Sequence, residues 1–357
     1  MLSLLFLLFL IQVLLWVFYF RGDLVEEKNT GEQELPNISI IVCAKNEREN
    51  LQAHLPLWLA QEQVGFELII VDDSSEDGSG QWLDEHSEKY PSLRVLHVEK
   101  PIGYQGKRYA LWKGIEAARH DFVLLTDADC APSSSVWAAG MAGKLGPGID
   151  LVLGAAPLLP DIGFLNAFAR YEAIYTLMLY GSAARHGQPY MGVGRNILYR
   201  KAALDLSILK QPGALSGDDD LMVNKIARRE NTALCIHPDA LCFSATAQNW
   251  KSFLRQKKRH VSTGSSYKMK HVFMLNAING SRGVFHMLAL GLIWIHPFPV
   301  LGMLVLRWLL MNYKMRQIFQ LTQSGDLWWR IPVLDLGLSL YQLLMVPFVF
   351  LAPGRWK

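Results

Sequence analysis

The sequence predicts an α/β protein, a mostly parallel sheet flanked by helices, with transmembrane helices at its N- and C-terminal ends. Three observations predict it. Short runs rich in branched apolar residues alternate with helical patterns between residues 38 and 154. Clusters of acidic residues directly follow several of those runs, which is where such sheets bind ligands. Long apolar stretches occupy both ends of the chain.

Of 357 residues, 51% are hydrophobic, and the excess sits at those ends. Leu2 to Phe20 is broken only by Ser3 and Gln12, which matches the roughly 20 residues a helix needs to cross a bilayer. A cleaved signal would carry a basic start and small residues before its cleavage site. No Lys or Arg precedes this run, and Trp16, Phe18, Tyr19 and Phe20 close it, so residues 1–21 are expected to stay as an anchor. Arg21 and Lys28 follow it, placing the next domain on the cytoplasmic side of the cell membrane. Residues 22–36 read as a polar tether.

Strand-like runs then come at Ile38 to Cys43, Glu67 to Val71, Leu93 to Val98, Phe122 to Thr126 and Leu151 to Gly154. Glu47 to Gln61, Gln81 to Lys89 and Lys107 to Arg119 are expected to be helical, and this alternation predicts parallel pairing. Gly163 to Ala184 reads as a long helix, and the turn Gly192-Val193-Gly194-Arg195-Asn196 either connects two elements or opens a second half of the domain. Beyond residue 270 lies a membrane region with two or three hydrophobic segments. Val284 to Met311 is interrupted by His296-Pro297-Phe298-Pro299, and Ile331 to Ala352 is long enough for one span. A hairpin over the first stretch returns Lys314, Arg316 and Arg330 to the cytoplasm, and a multi-pass protein is expected.

The net charge of +3 gives no argument for nucleic-acid binding. Lys251 to Lys270 holds seven Lys or Arg with Trp250 and Phe253 interleaved, so it faces either membrane-lipid headgroups or a ligand. Four cysteines without a Cys-x-x-Cys pair read as reduced thiols rather than disulfides or zinc ligands.

The chemistry-bearing residues end strands or start helices. Asp127 and Asp129 flank Ala128 after an apolar run, and two carboxylates there can share a divalent cation or form a solvated turn. Asp72 and Asp73 end another strand; one can accept hydrogen bonds from a nucleotide base while the other organises the turn, or both can serve a plain Asx turn. Asn46 and Glu47 follow the first strand, where Glu47 suits either a helix start or the base and ribose pocket. Lys107, after Gly103-Tyr104-Gln105-Gly106, suits a phosphate near a helix N-terminus, or solvent. Asp218, Asp219 and Asp220 would repel one another unless set at a helix start, near a metal or in a reaction centre, where one can act as general base.

Together these motifs make the chain resemble the family 2 inverting glycosyltransferases of the GT-A (Rossmann-like) fold, in their membrane-anchored form. The resemblance covers residues 37–270, a glycosyltransferase domain with a nucleotide-sugar half at 37–159 and an acceptor half at 160–270. It implies a nucleotide-diphosphate sugar donor, most often a UDP-sugar, with Mg²⁺ or Mn²⁺. It implies that Asp73 with Asp72 binds the base beside Asn46 and Glu47, that Asp127 and Asp129 form the metal and diphosphate motif, and that Asp219 is the catalytic base, with Asp218 the alternative register. Gln256 and Arg259 match the family's Gln-x-x-Arg-Trp motif, with His260 in place of Trp. Arg259 is then expected on the leaving diphosphate. The membrane ends point to a lipid or lipid-linked glycan acceptor. A polysaccharide synthase and a non-catalytic nucleotide-sugar-binding scaffold are the competing readings.

Overall fold

The computed structural model describes residues 1–26, 34–99, 101, 107–210, 218–261 and 267–351. In chain order the strands are β1 (Ile38–Ala44), β2 (Phe66–Asp72), β3 (Leu93–His97), β4 (Phe122–Asp127), β5 (Cys130–Pro132), β6 (Leu151–Gly154), β7 (Ile197–Arg200), β8 (Thr232–Cys235) and β9 (Cys242–Ser244). The α-helices are α1 (Leu2–Leu14), α2 (Arg48–Leu59), α3 (Ser79–Ser87), α4 (Arg108–Ala117), α5 (Trp137–Ala142), α6 (Phe164–Arg185), α7 (Asp218–Ile226), α8 (Trp250–Val261), α9 (Met269–Leu292), α10 (Pro297–Leu321) and α11 (Ile331–Leu351). They form two compact units. A sheet unit comprises residues 26–157 and 187–245, and a helical unit comprises residues 1–25, 158–186 and 246–353.

The sheet unit holds a seven-stranded sheet in the order β3-β2-β1-β4-β7-β6-β8 and a two-stranded β5-β9 pair. β1 pairs in parallel with β2 and β4, and β2 with β3, as the alternation of elements predicts, and β6 pairs in parallel with β8, a strand the alternation does not mark. β7 runs antiparallel between β4 and β6. Ile40 to Val42, Leu68 to Val71 and Val123 to Leu125 are buried on both faces, which explains why these strands read as continuous apolar runs. The chain departs from β1 first towards β2 and then, at β4, to the other side, so a crevice-forming switch point lies at the carboxyl end of β1.

Buried polar groups fix the two ends of the sheet differently. At the amino ends, Glu67 accepts hydrogen bonds from Ser39 Oγ at 2.7 Å, the Arg119 backbone N–H at 2.6 Å and the Arg94 guanidinium at 2.7 Å. Burial pushes the Glu67 carboxyl up, and these donors more than offset it, leaving its pKa below the usual value. Further along, Trp137 Nε1 donates to Asn196 Oδ1, whose amide donates to the Ala155 and Ala240 carbonyls. Asn196 lies so close to Gly154 that a Cβ there would stand 2.5 Å from its side chain.

In the helical unit, α1 continues into a wider π-helical turn at Leu15–Tyr19 and ends where Phe20 stacks on Trp16 at 4.1 Å. α9 and α10 are joined at residues 293–296, with Pro297 at the first turn of α10, a position where its missing N–H costs nothing. α9 begins before, and α10 ends after, the apolar stretch Val284 to Met311 that announces them. Two of their charged residues, Arg282 of α9 and Arg307 of α10, are paired internally: Asp335 of α11 meets Arg282 at 3.3 Å, Arg307, and the Tyr171 hydroxyl of α6 at 2.9 Å. Arg282 and Asp335 are 1% exposed and Arg307 4%. Among the described residues, only Leu2–Tyr19 is both long and apolar enough, by length and composition, to cross a membrane.

Candidate active site

Register brings the acidic clusters of the sheet unit together. Ala44 stands opposite Asp72 on one side of β1, and Cys43 opposite Asp127 on the other. With strands about 4.8 Å apart, Asp72 and Asp127 lie roughly 10 Å from each other across the end of β1.

The loops leaving β1 and β2 are locked together. The Asp73 N–H donates to Ala44 O at 2.8 Å, Asn46 N–H to Ser75 Oγ at 2.9 Å, Glu76 N–H to Asn46 Oδ1 at 2.8 Å and Arg48 N–H to Asp77 Oδ2 at 3.0 Å. Asn46 adopts φ +56° in the left-handed region that Asn tolerates. Asp77 also accepts from Ser79 N–H and Oγ at the start of α3. Asp72 is the residue that organises this turn: one oxygen accepts the Ser75 N–H at 3.2 Å and the other contacts His97 Nδ1 at 3.1 Å. Gly80 makes room for that contact, since a Cβ there would lie 2.9 Å from Asp72 Oδ2. Hydrogen bonding to Asp84 first, and to Asp72 second, raises the His97 pKa above its ordinary value. Asp73 beside it is buried at the head of the same turn.

The Asp127-Ala128-Asp129 turn is gripped from three sides. Lys107 Nζ donates to Asp127 Oδ1 at 2.7 Å, His54 Nδ1 to the Ala128 carbonyl at 2.8 Å, and the Cys130 thiol to Asp129 Oδ1 at 3.3 Å. Burial pushes the Glu47 carboxyl up, and the charges of Asp129 and Asp127 push it further, so the three acids share one neighbourhood. Arg195 enters from the turn before β7, its guanidinium donating to Ser244 Oγ and to Ala156 O. Ser244 lies directly across the β5-β9 pair from Cys130, next to Asp129. Burial lowers the Arg195 pKa, but Cys130, Asp129 and Asp127 more than offset this and keep it raised.

Among the described residues, no group of three or more His, Cys, Asp or Glu side chains is arranged as a complete metal cage. Asp127 and Asp129 nonetheless fit a divalent cation that takes its remaining ligands from a substrate. They offer hard oxygen donors, and the excess negative charge felt by Glu47 is what such an ion would relieve.

α7 opens at Asp218, so the three consecutive acids stand at a helix start; the side chains of Asp218, Asp219 and Asp220 lie outside the described residues, as does that of Arg259. Gln256 is exposed on α8 in the helical unit. Gly103 to Gly106 and residues 27–33 of the tether also lie outside the described residues. Arg195 and His54 are additions to the expected set. Arg195 sits in the glycine-rich turn that the sequence singles out only as a connection or domain start, and nothing local marks His54.

Residues 39–206 match the family model "Glycosyl transferase family 2". The probable glycosyltransferase YdaM of Bacillus subtilis is 25% identical over 303 residues, covering 80% of this chain and 70% of YdaM. Glycosyltransferase AglE of Haloferax volcanii is 29% identical over 154 residues, covering 42% of this chain and about half of AglE (49%). Among solved structures, the mannosyltransferase PcManGT of Pyrobaculum calidifontis, in complex with GDP-Man and Mn²⁺, superposes with a TM-score of 0.57 at 16% identity over 95% of each chain. With its mostly parallel sheet and the acidic motifs at the sheet's carboxyl edge, the chain has the GT-A fold, and residues 39–206 of it match the family 2 glycosyltransferases.

Proposed function

We propose that this glycosyltransferase moves a sugar from a nucleotide-diphosphate sugar, a UDP-sugar by preference, to a lipid or lipid-linked glycan at the membrane, with inversion at the sugar carbon. The observation that carries this reading is the register that sets Asp72-Asp73 and Asp127 on either side of the carboxyl end of β1. Asp73 accepts from the base, and the interlocked Asn46 and Asp77 loops hold that pocket in shape before the donor arrives. Lys107 and Arg195 supply cations beside the Asp127-Asp129 turn, where the diphosphate is placed. A Mg²⁺ or Mn²⁺ ion held by Asp127 and Asp129 would neutralise charge on the departing diphosphate. Asp219, at the start of α7, takes the proton from the acceptor hydroxyl. Gln256 and Arg259 keep the roles that the resemblance assigns them.

The acceptor class follows from location. α1 is apolar enough to cross a bilayer. α9, α10 and the turn between them carry exposed Val284, Trp294, Phe298 and Leu306 outside an internally neutralised core, so we place them in the membrane as a hairpin. The sheet unit is then on the cytoplasmic side.

A panel of UDP- and GDP-sugars, scored by thermal stabilisation with and without Mn²⁺, tests the donor site without needing an acceptor. Metal-dependent stabilisation by one sugar nucleotide is expected, and a flat response across the panel overturns the reading. Product analysis with membrane extracts then tests the acceptor: glycosylated lipid supports it, soluble products alone refute it, and long polymers would favour a polysaccharide synthase.

A further inference from the structure

The two units carry opposite charge. The helical unit holds fifteen Lys and Arg against five Asp and Glu, and the sheet unit eighteen against twenty-seven. Between Ala240 and Gly325 there are eleven Lys or Arg and not one Asp or Glu. A solvated surface mixes the two signs; a segment of one sign selects a partner of the other.

α8 shows where this charge is displayed. Its inner face is defined by Phe253, which meets Phe168 edge-on at 5.9 Å and lies 6.1 Å from Tyr341, and by Lys257 one turn later, paired with Glu172 of α6. At 3.6 residues per turn, Lys251, Arg255 and Lys258 fall together on the opposite face, while Gln256 lies on a flank between the two. Lys251 and Arg255 are exposed. Beside this stripe Leu254 remains 37% exposed, and Trp250, which packs on Phe168 and Phe253 at the edge of the inner face, remains 43% exposed, so cations and apolar surface are offered on one helix. The same pairing recurs at the foot of the apolar helices. Lys314 Nζ of α10 donates to Val17 O near the end of α1 at 3.2 Å, and Arg316 is exposed close to an exposed Tyr313.

From this arrangement we infer that the outer face of α8 is a docking surface for anionic phospholipid headgroups. Cations flanked by partly exposed aromatic and aliphatic side chains match the boundary between acyl chains and a negatively charged headgroup layer. Charge complementarity selects this occupant, since the stripe contains no acid that a basic partner could use. The inference deepens the membrane placement proposed above and does not depend on glycosyl transfer. The stripe leaves Gln256 on its separate flank, so lipid docking and the family motif occupy different sides of one helix.

The test uses the full chain, purified in non-ionic detergent, delipidated, and offered equal amounts of phosphatidylglycerol and phosphatidylcholine. Bound lipid is then quantified by mass. The wild-type protein is expected to retain phosphatidylglycerol by about tenfold over phosphatidylcholine, with a preference that declines as salt is raised. K251Q/R255Q/K258Q should lose most of that preference, and the charge-keeping K251R/K258R should retain it. Should the triple variant not fold, the salt titration of the wild type decides the matter. Equal retention of the two lipids by the wild type, a preference indifferent to salt, or a triple variant that selects lipid as the wild type does overturns the inference. Failure of the membrane placement itself is recognised separately, because the protein would then be recovered from cells without detergent.

Discussion

Lys107 Nζ and Asp127 Oδ1 meet at 2.7 Å, joining the start of α4 to the end of β4. This contact gives the first carboxylate of the Asp127-Ala128-Asp129 turn a cation before any ligand arrives.

Replacing Lys107 with Gln is expected to raise the donor KM and lower kcat, together by about tenfold to a hundredfold, because a charge aimed at the diphosphate is lost while the turn keeps its other contacts. Asp127→Asn should in addition abolish the response to added Mn²⁺. Steady-state kinetics across a metal titration check both. A Lys107→Gln protein with unchanged constants would remove this lysine from the site.

Asp219→Asn should lower transfer by about 10²–10⁴-fold, the usual scale for a general base, while leaving donor affinity intact. Asp218→Asn should cost far less. Calorimetric donor binding measured beside product formation separates the two effects, and near-wild-type transfer by Asp219→Asn would shift the base to another residue.

His97 supplies a pH-dependent element. Its folded pKa is raised by Asp84 and Asp72 above the ordinary value of about 6.5, so its contribution to stability is fully present below that ordinary value. The contribution is lost as pH rises through the raised folded value. The Tm difference between wild type and His97→Gln should accordingly be largest in mild acid and shrink in mild alkali. A difference constant across that range would mean that the ring acts by packing alone.

Gly154→Ala tests the approach of β6 to Asn196. With a new Cβ 2.5 Å from the Asn196 amide, either the strand or a fully hydrogen-bonded side chain must move. A loss of about 1–3 kcal/mol is expected by denaturant titration.

What the sequence made legible follows from how local each signal is. Asp72, Asp73, Asp127 and Asp129 could be placed at strand ends because each follows a long run of buried branched residues, and the parallel pairing of those strands follows from the intervening helices. β7 was not anticipated: its four residues follow a glycine-rich turn, and its antiparallel course is decided by partners far away in the chain. His54 was invisible for the same reason, since its partner Ala128 is 74 residues away and the histidine lies in an ordinary amphipathic helix. Arg195 stood in a turn that had been noticed, but only the cross-strand pairing of Cys130 with Ser244 reveals that its charge lies beside Asp129. Near the C-terminus, Arg282 stands just before the apolar stretch and Lys314 and Arg316 just after it, which is why the full lengths of α9 and α10 could not be read from hydropathy.

The shared carboxylate of Asp335 imposes an order on biosynthesis. Arg282 and Arg307 leave the ribosome before it does, so both precede the acid that receives them, and among the described residues only Arg307 has an earlier hydrogen-bond partner, Gln12. A nascent chain halted before Ile331 would hold two guanidinium groups with no acid to receive them, a state exposed to quality-control proteases. Completion of the last helix is thus the event that lets the bundle close.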